Sequence, residues 1–346
     1  MNLTPCLLFL LTGTALLAGP TKPSDLVAEA LPILQSRYVD FQALHYQPGD
    51  RLNDLIARSN GKISLHPPGA DTAPTPILST SLPGSILYWR LASFTPKTSW
   101  PDFETALNES TAQGVTGLIL DLRTNLAPDD YSGAARLLAI LEPHDATLAK
   151  FLSDPAPSEQ PLHSPIMLLV NDKTLGAAEA LAASLQADGA LVIGRATAGK
   201  AAVFEEQTLS SGQVLRYMAG PVELPPGVPL WGHPVSPDIG LIVHDETEKA
   251  ALALIDQNAI TEVIGEADER HRMSEASLVR GEDPEEDAYL ATLEKNSPAG
   301  RLKLPAIHDT VLITALDSLK AIEVSLRPVL PSTQADVPAQ PGPPTP

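Results

Sequence analysis

The stretch from Pro165 to Lys200, PIMLLVNDKTLGAAEALAASLQADGALVIGRATAGK, has the residue types and spacing that could do chemistry. Ile166 to Val170 is an apolar run too short for a typical helix and suits a strand covered on both faces. Asn171 and Asp172 break the run, and Ala180, Leu181, Ala183, Ser184 and Leu185 then recur at helical spacing, with Gly189 just past the helix end. Ala190 to Ile193 forms a second short strand, and Gly194 to Lys200 is a loop with two glycines and one lysine. Such a layout holds a backbone turn at the end of a parallel sheet, a common place to present a nucleophile. Other chemistry has little support. The single cysteine, Cys6, lies in an apolar leader, so thiolate chemistry and disulfides are not expected in the mature chain. The eight histidines are scattered, with no pair at the spacing of a zinc site, so neither a metal nor a cofactor is expected.

The bulk composition narrows the partners. A length of 346 residues with 43% hydrophobic content supports a real core in one large domain or two modest ones. A formal net charge of -19 argues against nucleic acid, which needs clustered Lys and Arg, and disfavours anionic membrane surfaces. Only 4% of residues are aromatic, which disfavours a stacking platform for carbohydrate or single strands.

The elements that must position the central stretch are legible in order. Residues 1–20 read as a signal peptide, with an apolar segment from Cys6 to Leu17 too short to span a bilayer, so export to the periplasm or beyond is expected. No later segment reads as a membrane span. Residues 21–65 read as a helical N-terminal segment, capped by Ser24 and broken or kinked at Pro32, with a second amphipathic stretch over Asp50 to Ser59. The Pro-, Thr- and Ser-rich residues 66–85 read as a linker. From 86 to 244, strands at 86–92 and 116–122 alternate with helices at 99–112 and 131–141, predicting a parallel sheet with right-handed crossovers. Val203 to Ala219 reads as a hairpin turning at Ser210-Ser211-Gly212, followed by Pro-rich irregular chain to Pro237. Residues 245–327 read as an acidic helical C-terminal segment with its last helix near Asp309 to Val324, and residues 328–346, with seven prolines, as a disordered tail. Between Asp245 and Lys295 there are 15 Asp/Glu against 5 Lys/Arg, a run most simply read as a solvated face.

Several motifs, taken in order, resemble the core domain of the tail-specific, or C-terminal-processing, serine peptidases. They are ILYWRLASF, QGVTGLILDLR ending at Arg123, PIMLLVND with AAEALAASL behind it, GRATAGK ending at Lys200, and PPGVPLWGHPVSPD from Pro225 to Asp238. The resemblance covers residues 86–240 and implies an α/β fold of the ClpP/crotonase-like type, a parallel sheet with crossover helices plus a hairpin, here with helical N- and C-terminal segments. In the family, a serine at the start of the helix attacks the peptide carbonyl and a lysine about two dozen residues later takes its proton. Carried onto this chain, the lysine position is Lys200 and the serine position is Gly176, which has no side chain to acylate. The amide expected to help bind the oxyanion is that of Ala177. The family's glutamine four residues after the lysine is replaced by Phe204, and its Asn-Asn-Pro-Gly-Gly turn by Thr124-Asn125-Leu126-Ala127-Pro128.

Neither neighbouring hydroxyl is an obvious substitute. Thr174 lies two positions from the elbow and would have to swing inward, and Ser184 lies roughly 12 Å further along the helix at 1.5 Å per residue. Asp121 and Arg123 read as structural strand-end residues, and Asp238 as a turn residue. The PDZ domain that reads peptide tails in the family would fall between residues 66 and 85, an interval several times too short for one. The resemblance with these losses implies a pseudo-peptidase that binds a peptide, a small apolar ligand or a protein partner. The alternatives are an active serine- or threonine-type endopeptidase with a relocated nucleophile such as Thr174, and a structural partner of an active paralogue contacting it through the acidic C-terminal helices.

Overall fold

The protein was analysed as a computed structural model, which describes residues 23–67, 78–94, 105, 107–109, 112, 114–125, 130–142, 147–152, 164–224, 227–265 and 307–326. The leader, the Leu126–Pro128 part of the oxyanion turn, most of the helix expected at 99–112 and the Pro-rich tail therefore lie outside the described residues.

A six-stranded sheet forms the centre. It uses β2 (Leu78–Leu82), β3 (Ile86–Arg90), β4 (Gly117–Asp121), β5 (Ile166–Val170), β6 (Leu191–Gly194) and β9 (Ile239–Gly240), in the order β9-β6-β5-β4-β3-β2. All neighbours are parallel except β2, which runs antiparallel to β3 on the edge. Every residue of β3, β4 and β5 is buried, because both faces are covered. Alternate side chains divide between two cores. Leu118, Leu120, Leu168 and Val170 face helices α3 (Tyr131–Leu141) and α4 (Ala177–Ala187). Ile119, Met167 and Leu169 face α5 (Asp245–Asp256), α6 (Ile260–Ile264) and α7 (Thr310–Leu326). This layered sheet is the α/β, ClpP/crotonase-like fold, with a mostly parallel sheet and crossover helices.

A second, antiparallel sheet contains the expected hairpin, β7 (Ala202–Thr208) and β8 (Val214–Pro221), with β1 (Ile63–His66) added on the far side of β8. Ile63 pairs with Tyr217 and His66 with Val214. Helices α1 (Pro23–Arg37) and α2 (Leu52–Arg58) close this sheet through Leu34, Leu55, Ile63, Leu215 and Tyr217.

Two sequence expectations need correction. The 21–65 segment is not wholly helical, since it supplies β1, whose four residues are too few for their alternation to register. The 66–85 stretch is not all linker: its Leu78–Leu82 part is the edge strand β2, whose Ser and Thr side chains alternate outward while Ser79 accepts a hydrogen bond from the Trp89 indole at 2.7 Å. Helix α1 runs through Pro32 without dividing, which leaves a kink as the form of that expectation still open. Of the segment after 244, the helices α5, α6 and α7 bury Ala251, Ile255, Val263, Leu312, Ala315 and Leu316 on the sheet, while residues 266–306, most of the acidic run, lie outside the described residues. The seat for α7 is built into the strand beneath it, where a Cβ at Gly117 would come within 2.6 Å of the Leu319 side chain.

Candidate active site

The turn after β5 is drawn tight by its own side chains. Asn171 N–H donates to Thr174 Oγ1 at 3.0 Å, and Thr174 Oγ1 donates in turn to the carbonyl of Leu122 at 2.9 Å. The chain then reaches Gly176, buried at the N-cap of α4 with φ 63 and ψ -126, a backbone state that glycine adopts readily and side-chain-bearing residues do not. Strained strand-to-helix turns of this kind present the hydroxyl in elbow-type hydrolases. Here the elbow is present and no hydroxyl stands on it. Ala177 opens the helix, buried, and its amide is one of the first-turn N–H groups left over by α-helix geometry.

Neither candidate substitute is free. The Thr174 hydroxyl is buried and engaged in both directions between Asn171 and Leu122. Ser184 is buried and donates back to the Ala180 carbonyl at 3.0 Å, an ordinary bond for a mid-helix serine.

The lysine loop is fastened by a residue that sequence reasoning did not single out. Glu179, buried in the first turn of α4, accepts from Thr197 Oγ1, from Gly199 N–H at 2.7 Å and from Lys200 N–H at 2.8 Å. Burial raises the Glu179 carboxyl above its ordinary value, and these bonds oppose the rise without cancelling it. Gly199 has φ +63, and a Cβ there would sit 3.1 Å from the Pro234 ring, so glycine is needed for the loop to pass. The only signal in the sequence was an acidic residue three places after the elbow, and its partners lie some 20 residues away. Lys200 uses its backbone to hold this loop, while its side chain is exposed and makes no ion pair among the described residues. A general-base lysine has to be neutral, which burial normally achieves. Phe204, half-buried on β7, lies under the Arg216 guanidinium, 3.5 Å from ring centroid to carbon, with the Trp231 ring centroid 5.9 Å away.

The strand-end charges form a structural cluster. Arg123 is fully buried, with bonds of 2.6 and 3.0 Å to Asp121 and 2.7 and 3.0 Å to Asp309 just before α7. Burial alone would raise the Asp121 carboxyl, but Arg123, with Arg90 and the Tyr88 hydroxyl, outweighs it and holds the group below its ordinary value. Asp238 receives the Val192 N–H at 2.8 Å and the Gln186 amide at 3.1 Å, a turn-fixing role. Thr124, at φ 56, is a β-branched residue in the left-handed region, held there by Asn171. A separate cavity of about 430 Å³ lies beside α5, and its lining includes Arg90, Thr124, Lys173, Glu248 and Asp256. Its charges are of both signs, and Arg90 and Glu248 are already paired, so the lining selects no ligand class.

The chain thus combines a mostly parallel sheet with an elbow at the end of β5, a helix behind it and a lysine loop after β6, within the ClpP/crotonase-like fold. Residues 85–241 match the family model described as Peptidase family S41. The C-terminal processing peptidase of Tetradesmus obliquus, a chloroplastic protein, is 28% identical over 193 residues, which cover 52% of this chain and 41% of that relative. The chain thus spans less than half the length of the curated relative it matches. Among solved structures, a lipoprotein from Streptococcus agalactiae is 18% identical with a TM-score of 0.50, over 69% of this chain and 99% of that one. The photosystem II D1 C-terminal processing protease is 23% identical with a TM-score of 0.39, over 57% of this chain and 52% of that one.

Proposed function

We propose that the protein is an exported member of the S41 family that has lost hydrolysis, and that its inherited cleft binds a peptide or a small apolar ligand without cleaving it. The observation that carries this reading is Gly176 at the helix cap, where the family resemblance puts the serine. Three further features support it. The hydroxyls of Thr174 and Ser184 are engaged by backbone partners, which weighs against a relocated nucleophile. Lys200 is exposed to solvent and is not enclosed beside Gly176. The position of the family's glutamine is filled by Phe204 in an aromatic and guanidinium stack. Oxyanion donors without a nucleophile leave roughly 10³–10⁴-fold acceleration over water in the serine-protease precedent, far below a working peptidase. The structural-partner reading has less support, since the described C-terminal helices spend their apolar faces on their own sheet. Export rests on the apolar leader at residues 6–17.

The test pairs chemistry with binding. The full chain is treated with a serine-directed fluorophosphonate and incubated with an unstructured protein substrate such as casein, beside an active S41 peptidase. No adduct and no cleavage are expected, with saturable binding of an apolar fluorescent probe or of a casein-derived peptide. An adduct at any residue, or cleavage abolished by Lys200→Ala, would overturn the reading.

A further inference from the structure

We propose that Glu248 is the positioning residue through which the C-terminal helices set the geometry of the elbow turn and lysine loop, because one buried carboxylate on α5 gathers the chain leaving β4, β5 and β6. Glu248 Oε2 accepts from Asn171 Nδ2 at 3.1 Å, at the start of the elbow turn after β5. The same oxygen accepts from the Arg195 guanidinium at 2.8 Å, at the root of the lysine loop after β6. Its other oxygen lies 3.7 Å from the Arg123 guanidinium, after β4. The contacts then spread outward. Asn171 holds Thr124 in its left-handed state through both the backbone N–H at 3.1 Å and Oγ1 at 3.2 Å, and takes the Lys173 N–H at 3.0 Å. Arg195 adds Asp172 at 2.7 Å and Asp245 at the start of α5. Glu248 lies outside the matched stretch, which ends at residue 241. A carboxylate of the surrounding layer therefore fixes loops that the family core only supplies. Buried charges bonded on several sides tend to enforce one arrangement because the misaligned alternatives leave a charge unpaired.

The inference concerns the same elbow turn and lysine loop as the proposed function but needs no ligand, so its failure leaves the question of hydrolysis untouched. The experiment is amide hydrogen exchange on the full chain, comparing wild type with Glu248→Gln, Arg195→Gln and the distant control Arg58→Gln. In Glu248→Gln, which keeps an acceptor for Asn171 and loses the charge for Arg195, exchange at 124–125, 171–175 and 195–200 should rise ten-fold or more. Strands β3 to β6 and helices α1 and α2 should keep wild-type rates. Unchanged loops, or an equal acceleration of every element, would overturn the proposal, the latter by showing a global stability effect alone. If Glu248→Gln does not accumulate folded, Arg195→Gln carries the same test with the same two outcomes.

Discussion

The backbone N–H of Ala198 donates to the carbonyl of Thr174 at 2.9 Å, so the elbow turn and the lysine loop are one structural unit. Glu179 reinforces the join from inside the helix, and Thr197 passes it on by accepting the Val235 N–H at 2.8 Å. The site keeps the rigidity of a catalytic centre although its central position bears no side chain.

Restoring the serine should not restore the enzyme. Gly176→Ser and Gly176→Ala both force a side-chain-bearing residue into φ 63 and ψ -126, at a cost of about 1–3 kcal/mol. Urea denaturation should show both variants destabilised alike, and a peptide-hydrolysis assay should read background for each. Turnover by Gly176→Ser would mean that Lys200 can be recruited inward, contrary to its exposed placement.

Lys200→Ala should be nearly silent for stability. The side chain is exposed and unpaired among the described residues, so the change should stay within about 0.5 kcal/mol. A larger loss in thermal denaturation would show that the ammonium is held in the fold.

Arg123→Gln should be severe. It leaves Asp121 and Asp309 buried with no guanidinium between them, and breaking a buried pair in this way costs about 3–5 kcal/mol. The loss should appear in chemical denaturation, and α7, tethered through Asp309, should be the first element to gain hydrogen exchange.

Glu179 should leave a pH signature. Its folded value lies above its ordinary one, so the stability linked to its protonation is fully present below the ordinary glutamate range and is lost as pH rises through the raised value. Asp121 has the opposite sign: its contribution is present above the ordinary aspartate value and is lost as pH falls through the depressed one. Subtracting the stability of Glu179→Gln from that of wild type at each pH isolates the first effect. The difference should favour wild type increasingly towards acid, and a flat difference would refute the assignment.

What could be read in advance followed local pattern. The buried runs of β4 and β5 and the apolar spacing of α3 and α4 are written in consecutive residues, and so is the absence of a side chain at Gly176. What escaped was long-range. Strand β1 is defined by pairing Ile63 with Tyr217, and β2 by lending Ser79 to Trp89. Glu179, Arg195 and Glu248 look like surface charges until residues 20 to 77 positions away close on them.

The fit of Leu319 over Gly117 has a consequence for how the molecule is made. The strand that receives this side chain is synthesised some 200 residues before the helix that delivers it. Until α7 emerges, Ile119, Met167 and Leu169 have only part of their cover, and an incompletely covered parallel sheet is slow to form and prone to stick to its neighbours. The chain is therefore expected to complete its fold only once α7 has been made.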